Sequence, residues 1–104
     1  MKYKIPNSVQ LIAEERTRLI EKEGWTASHD DGHKSGELSR GAGAYVHYSY
    51  WQVNSKPVNR IPEEWPWDKT WWKPSDDPIR NLVKAGALIA AEIDRIRRKN
   101  EGSS

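Results

Sequence analysis

At 104 residues the chain has room for one domain, and its 17 Lys+Arg against 15 Asp+Glu leave a net charge of only +2. So small an excess does not indicate bulk nucleic acid as a partner, which would need a clustered basic face. Zero cysteines exclude a disulfide framework, a thiolate metal site and a Cys nucleophile.

No run of about 20 apolar residues offers a membrane span, so no membrane partner is expected. The opening Met1-Lys2-Tyr3-Lys4-Ile5-Pro6 lacks the apolar stretch of a secretory signal, and a cytoplasmic location is the simplest expectation. Six Trp and four Tyr stand beside no Phe at all. Tryptophan supplies a flat face and an N–H donor, of use in a core and equally in a stacking pocket. With 36% hydrophobic residues the core is modest, which points to a homo-oligomer.

The expected fold class is mainly α: about three helices with a long, ordered Trp/Pro-rich loop packed on them. After an N-terminal arm (1–6), the pattern predicts a helix over 8–23. Val9, Ile12, Leu19 and Ile20 form its apolar side, with Glu14, Glu15, Arg18, Glu21 and Lys22 facing water. Asn7 with Gln10 reads as a capping box, and Gly24 ends the helix. A polar turn (24–36) leads to a helix over 37–52, with Leu38, Ala42 and Tyr45 on one face. The alternative there is a strand over Tyr45 to Val53, whose residues favour β structure. Gly41-Ala42-Gly43-Ala44 is expected to meet Ala85-Gly86-Ala87 at close approach.

The segment 54–76 carries Pro57, Pro62, Pro66 and Pro74 and four of the tryptophans, too aromatic for a disordered segment. It reads as an ordered lid pinned by indoles, and for at least three of the six Trp the expected role is core packing. The last helix is predicted over 77–99, capped by Asp76 or Asp77 with Pro78 in its first turn. Ile79, Leu82, Val83, Gly86, Ile89, Ile93 and Ile96 form its expected buried stripe. Residues 100–104 read as a flexible tail.

The densest polar cluster is Trp25 to Glu37, and three readings compete for it. One is an aspartate-rich turn with Ser35 as a helix cap. A second is a metal site from His29, His33 and one of Asp30, Asp31 or Glu37. That needs a helical turn to align the histidines, and Gly32 argues against one. The third is a clamp for a phosphorylated, ribose-bearing ligand: Asp30 or Asp31 on ribose hydroxyls, His29, His33 and Lys34 on phosphate. Trp25 lies four residues before His29, so base stacking and phosphate contacts can come from one segment. Trp65-Pro66-Trp67 and Trp71-Trp72-Lys73-Pro74 of the lid would close the pocket with a stacking surface, and Lys73 and Arg80 would add positive charge.

Catalytic signatures are wanting: no Ser-His-Asp pattern, Gly-rich phosphate loop or His-Glu-x-x-His. Glu14, Glu15, Glu37, Glu92 and Asp94 could hold magnesium only by converging inside a bundle. No catalytic residue, metal or cofactor is therefore assigned.

From Ile12 to Ile96 the chain resembles a recurrent small protein of bacteriophages and prophages. The resemblance rests on Glu23-Gly24-Trp25-Thr26, His29-Asp30-Asp31-Gly32-His33, Gly36-Glu37-Leu38, Trp65-Pro66-Trp67, Trp71-Trp72-Lys73-Pro74 and the run from Leu82 to Ile93. It implies a phage-encoded origin, and hence the cytoplasm of an infected host, but no settled activity. A fainter likeness is to the ryanodine-receptor repeat, carried by Gly24-Trp25, Asp30-Asp31, His33-Lys34, Leu38, Tyr45 and Pro62-Glu63-Glu64. Lys34 stands where that repeat usually has proline, and the middle spacing departs from it. That resemblance implies adenine-nucleotide binding through tryptophan.

The resulting expectation is a nucleotide-binding protein that sequesters a host immune signal, of cyclic oligonucleotide or cyclic ADP-ribose type, without cleaving it. Its ligand-binding residues would be Trp25, His29, Asp30, Asp31, His33, Trp71, Trp72, Lys73 and Arg80. The alternatives are a metal-dependent nucleotide hydrolase using His29, Asp30, Asp31, His33 and Glu37, and a protein-binding inhibitor of a host defence enzyme with exposed Trp67 and Trp71.

Overall fold

A computed structural model describes residues 5–54 and 59–102, so the arm over 1–4, the part of the lid over 55–58 and the tail over 103–104 lie outside it. Among the described residues there are four α-helices and no strand: α1 (Asn7–Glu23), α2 (Ala27–Asp31), α3 (Glu37–Asn54) and α4 (Pro78–Gly102). A single 3₁₀ turn, Lys69–Trp71, interrupts the loop between α3 and α4. No described helix is long and apolar enough to cross a membrane.

Helix ends follow local chemistry. Gly24 closes α1 in the left-handed conformation (φ 73°), where a Cβ would be strained, and its N–H bonds the Leu19 carbonyl. The Asn7–Gln10 capping box does not form. Asn7 is already helical and Pro6 occupies the cap position with no side-chain bond, while Gln10 Nε2 donates to the Ile5 carbonyl at 2.9 Å. Asp77 accepts the Ile79 N–H at 2.9 Å and so caps α4. That helix runs on to Gly102, so residues 100–102 are helical rather than tail.

Helix α4 is the centre of the molecule, with α3 along one side and α1 along the other. Ser39 meets Glu92 near the start of α3 and Gln52 meets Asn81 near its end, so α3 and α4 run antiparallel. Their seam is built from Leu38, Ala42, Tyr45, Ala85, Leu88 and Ala91. Alanine on both helices lets the backbones approach closely, and the strand alternative over Tyr45 to Val53 is excluded because those residues continue α3.

The predicted stripe on α4 is mostly not the core. Val83 is buried, but Ile79, Leu82, Ile89, Ile93 and Ile96 are 43–62% exposed. The helix carries two apolar faces, one of alanines and one of large aliphatic residues. Only the alanine face fits closely against α3, where Asn81 also finds its partners. Asn81 is fully buried, donates to Gln52 Oε1 and the Ser75 carbonyl (both 2.8 Å), and accepts the Ser75 N–H at 2.8 Å.

Nor do the glycines serve the α3–α4 contact as expected. A Cβ at Gly86 would lie 2.7 Å from Ile12 of α1, and one at Gly41 would lie 2.5 Å from the Trp67 ring. Gly41 is therefore a seat for the lid. We expect Gly41→Ala to displace the Trp67 indole and cost about 1–3 kcal/mol in urea unfolding. A shift in tryptophan emission should accompany the loss; unchanged stability and emission would contradict the assignment.

Candidate functional site

The lid and the segment after α1 together enclose a cavity of about 450 Å³. Its wall is aromatic and continuous. Trp72 stacks on Tyr45 (ring centroids 4.8 Å) and on Trp65 (4.9 Å), Trp65 on Trp67 (5.0 Å), and Trp67 on Trp25 (5.6 Å). Trp25 in turn lies 4.7 Å from His29. Most of these contacts are edge-on, the arrangement that the ring quadrupoles favour. Trp25, Trp65, Trp67 and Trp72 all pack partly buried against the core, as the core-packing expectation requires. Trp71 does not, being 68% exposed at the rim.

Local bonds hold the lid. Trp65 Nε1 donates to the Asp68 carbonyl at 3.0 Å, and Asp68 Oδ1 accepts both the N–H and hydroxyl of Thr70 (2.9 and 2.7 Å). Gln52 Nε2 donates to the Ser75 and Asp76 carbonyls, and Glu64 pairs with His47 Nδ1 at 2.9 Å.

The polar segment contains a helical turn that the Gly32 argument does not anticipate. Thr26 caps α2 by accepting the His29 N–H, and Gly32 follows as an ordinary right-handed residue. The turn brings His29 and His33 to 4.9 Å between ring centres, both on the cavity wall. It sends Asp30 the other way: fully buried, Asp30 receives Arg16 Nη2 at 3.2 Å and lies 3.2 Å from His29 Nδ1. Asp31 points out to Arg98 (2.8 Å). Ser35 is not the helix cap. Glu37 Oε1 instead accepts the Ser35 N–H at 2.7 Å, and Glu37 Oε2 sits 3.8 Å from His33. Among the described residues no group of three or more His, Asp or Glu is placed to hold a metal ion.

Of the nine expected ligand residues, Trp25, His29, His33, Trp71 and Lys73 line the cavity. Asp30, Asp31, Trp72 and Arg80 do not: the aspartates are turned into ion pairs by α2, Trp72 lies behind Tyr45 and Trp65, and Arg80 is bound to Glu15 at 2.6 Å. The cavity adds Glu15, Arg18, Glu23, Tyr45, Trp65, Trp67, Asp68 and Lys84.

Glu15 corrects the reading of α1 most sharply. Assigned to the solvated face, it is only 3% exposed, gripped by Arg18 through both oxygens (2.9 Å each) and by Arg80. Burial opposes its ionisation most strongly, yet the bonds from Arg18 and Arg80 outweigh it and hold the carboxyl below its ordinary value. A sequence signal existed in Glu15 and Arg18 at i, i+3, but that spacing is equally common on wet helix faces.

Lys84 reaches across to the Lys73 carbonyl at 2.8 Å and lies 5.5 Å from the Tyr45 ring centre. Burial, with Arg80 and then Arg18 nearby, lowers its affinity for the proton, against the pull of Glu15.

No protein-family model, curated protein or solved structure matches the chain.

The Glu15 geometry has a pH consequence. Because its folded pKa is depressed below 4.5, the stability that it contributes is present above that value and is lost as pH falls through the folded pKa. Glu15→Gln should destabilise the protein by about 1–3 kcal/mol at pH 7. In chemical unfolding the gap to wild type should close as the pH is lowered from about 5 toward 3; a gap independent of pH would contradict this role.

Proposed function

We propose that this chain binds a nucleotide-type ligand in the aromatic cavity and holds it intact, as a phage-encoded protein that sequesters a host signal of the cyclic oligonucleotide or cyclic ADP-ribose class. The observation that carries the reading is one cavity combining stacked indoles with two lysines. Trp25 and Trp67 both line it, and stacking on an aromatic side chain contributes about 1–3 kcal/mol per base. Lys73 and Lys84 line the same cavity, Lys84 beside the Tyr45 ring with one of its three donors on the Lys73 carbonyl. Glu15 and Glu23 also face the cavity, but both are paired with Arg18, at 2.9 and 3.6 Å, so their charge is largely offset toward an anionic ligand.

The volume lies within the range for small-molecule sites, about 300–1,000 Å³. In this arrangement Asp30 does not touch ribose. It positions His29 through Nδ1, leaving Nε2 as the group available to a ligand phosphate or hydroxyl. The protein-inhibitor alternative expects Trp67 and Trp71 both presented outward; Trp71 is, while Trp67 is stacked inside the aromatic chain.

The test is thermal melting and tryptophan fluorescence against cyclic di- and trinucleotides, cyclic ADP-ribose and adenosine monophosphate, with mass analysis of the recovered ligand. Binding of at least one of them should raise the melting temperature by mass action and return the ligand unchanged. Trp25→Ala should weaken that binding about 10- to 100-fold. Because Trp25 also packs on the core, Lys73→Met serves as the second variant: it should weaken binding of the anion with an unchanged ligand-free melting temperature. No response across the panel would overturn the proposal. Recovery of cleaved ligand would overturn sequestration and make His29, oriented by Asp30, the candidate general base.

A further inference from the structure

We infer that the face of α3 and α4 opposite the aromatic lid is a docking surface for a second copy of this chain, paired antiparallel through α4. On α4 the exposed large residues are Ile79, Leu82, Ile89, Ile93 and Ile96. With Gly86 they recur at intervals of 3, 4, 3, 4 and 3, the spacing of a helix seam that packs against another helix. Gly86 interrupts the side chains on this seam, and α1 fills that place with Ile12.

Helix geometry sets Val46, Tyr50 and Val53 of α3 beside this stripe. The lid residues Trp67 and Glu64 approach α3 from the far side, at Gly41 and His47, and Lys84 and Leu88 of α4 face the cavity. What remains on the near side of both helices is apolar, and its eight large side chains are each 43–67% exposed. Together they present on the order of 500 Å² of apolar surface, in the upper part of the roughly 300–600 Å² spanned by the largest patches of monomers, which are often interaction sites. A standard interface takes roughly 800 Å² from each partner, and this patch supplies more than half of it.

Three observations select a second copy as the occupant. The molecule is a thin slab, 48 × 41 × 23 Å, in which only one side of the α3–α4 pair is covered, so a like layer completes a four-helix arrangement with two covered faces. The seam is centred between Gly86 and Ile89 and has the same spacing in both directions, as a two-fold axis requires, so that Ile79 faces Ile96 and Leu82 faces Ile93 of the other copy. The charges at its ends are complementary as well: exposed Asp76 and Asp77 precede α4, and exposed Arg97 and Lys99 lie near its end. Antiparallel pairing sets each acidic end beside the other copy's basic end, whereas parallel pairing sets like beside like. The cavity lies on the other side of the slab, so this inference stands or falls apart from the ligand proposal.

The experiment is sedimentation equilibrium on the full chain, with and without Ile89→Glu. Wild type should give twice the 12.0 kDa chain mass at micromolar concentration. Ile89→Glu should be monomeric, raising the dissociation constant at least 100-fold, with helical circular dichroism retained because Ile89 touches solvent rather than the core. A wild type that stays monomeric at 100 µM, or an Ile89→Glu variant that stays dimeric, would overturn the inference. Direction is read by cysteine pairing, since the chain has none of its own. Mixed single variants Leu82→Cys and Ile93→Cys should form a disulfide with one another; Leu82→Cys pairing only with itself would overturn the antiparallel arrangement.

Discussion

Alanine sets the distance between α3 and α4, and the rest of the molecule is arranged around that distance. With Ala42, Ala85 and Ala91 in the seam, the two helices close tightly but bury few large side chains of their own. Leu38, Leu88 and Tyr45 are the bulk of what the seam contains. A core so narrow does not exclude water from its own edge, so large flat groups must come from elsewhere to cover it. The tryptophans of the connecting loop fill that role, which accounts for a composition with six Trp and no Phe. An indole covers more area per residue than a phenyl ring, and its N–H can bond the loop that carries it, as Trp65 does to Asp68.

The same arrangement produces the cavity. Trp25, Trp65 and Trp67, which cover the core, also line it. The line from Trp72 through Trp65 and Trp67 to Trp25 leaves a concave wall rather than a solid layer. Gly41 is needed for it, because no other residue leaves room for the Trp67 ring against α3. The cover of the core and the cavity wall thus come from one set of side chains, and the polar groups around them are held by ion pairs from α1, α2 and α4. Arg16 on Asp30 and Arg18 with Arg80 on Glu15 tie the histidine turn and the cavity floor to the helical frame.

Close packing on small residues has a second consequence. Helix α4 has apolar residues on two sides, and the alanine side fits α3 better, so the isoleucines are left outward. An apolar moment therefore located apolar surface correctly without identifying its partner. The side turned away from α3 is larger in volume and stays outside the chain's own core, a pattern characteristic of subunit contacts rather than of interiors.

Much of the architecture was legible from local chemistry. Helical spacing, Gly24 beyond α1, Asp77 before α4 and an aromatic loop too rich in indole to be disordered are properties of short segments, and each acts within a few residues of itself. Trp25, His29, His33, Trp71 and Lys73 could be grouped for the same reason, as residues close in sequence or carried by one lid. Glu15 and Lys84 could not be assigned to the cavity, nor Asp30 removed from it, by reading along the chain. Glu15 meets Arg80 across 65 positions, and Asp30 meets Arg16 across 14. Whether a charged side chain faces water or a partner is settled by which helices lie side by side. That choice belongs to the packing of alanine faces, and no single segment contains it.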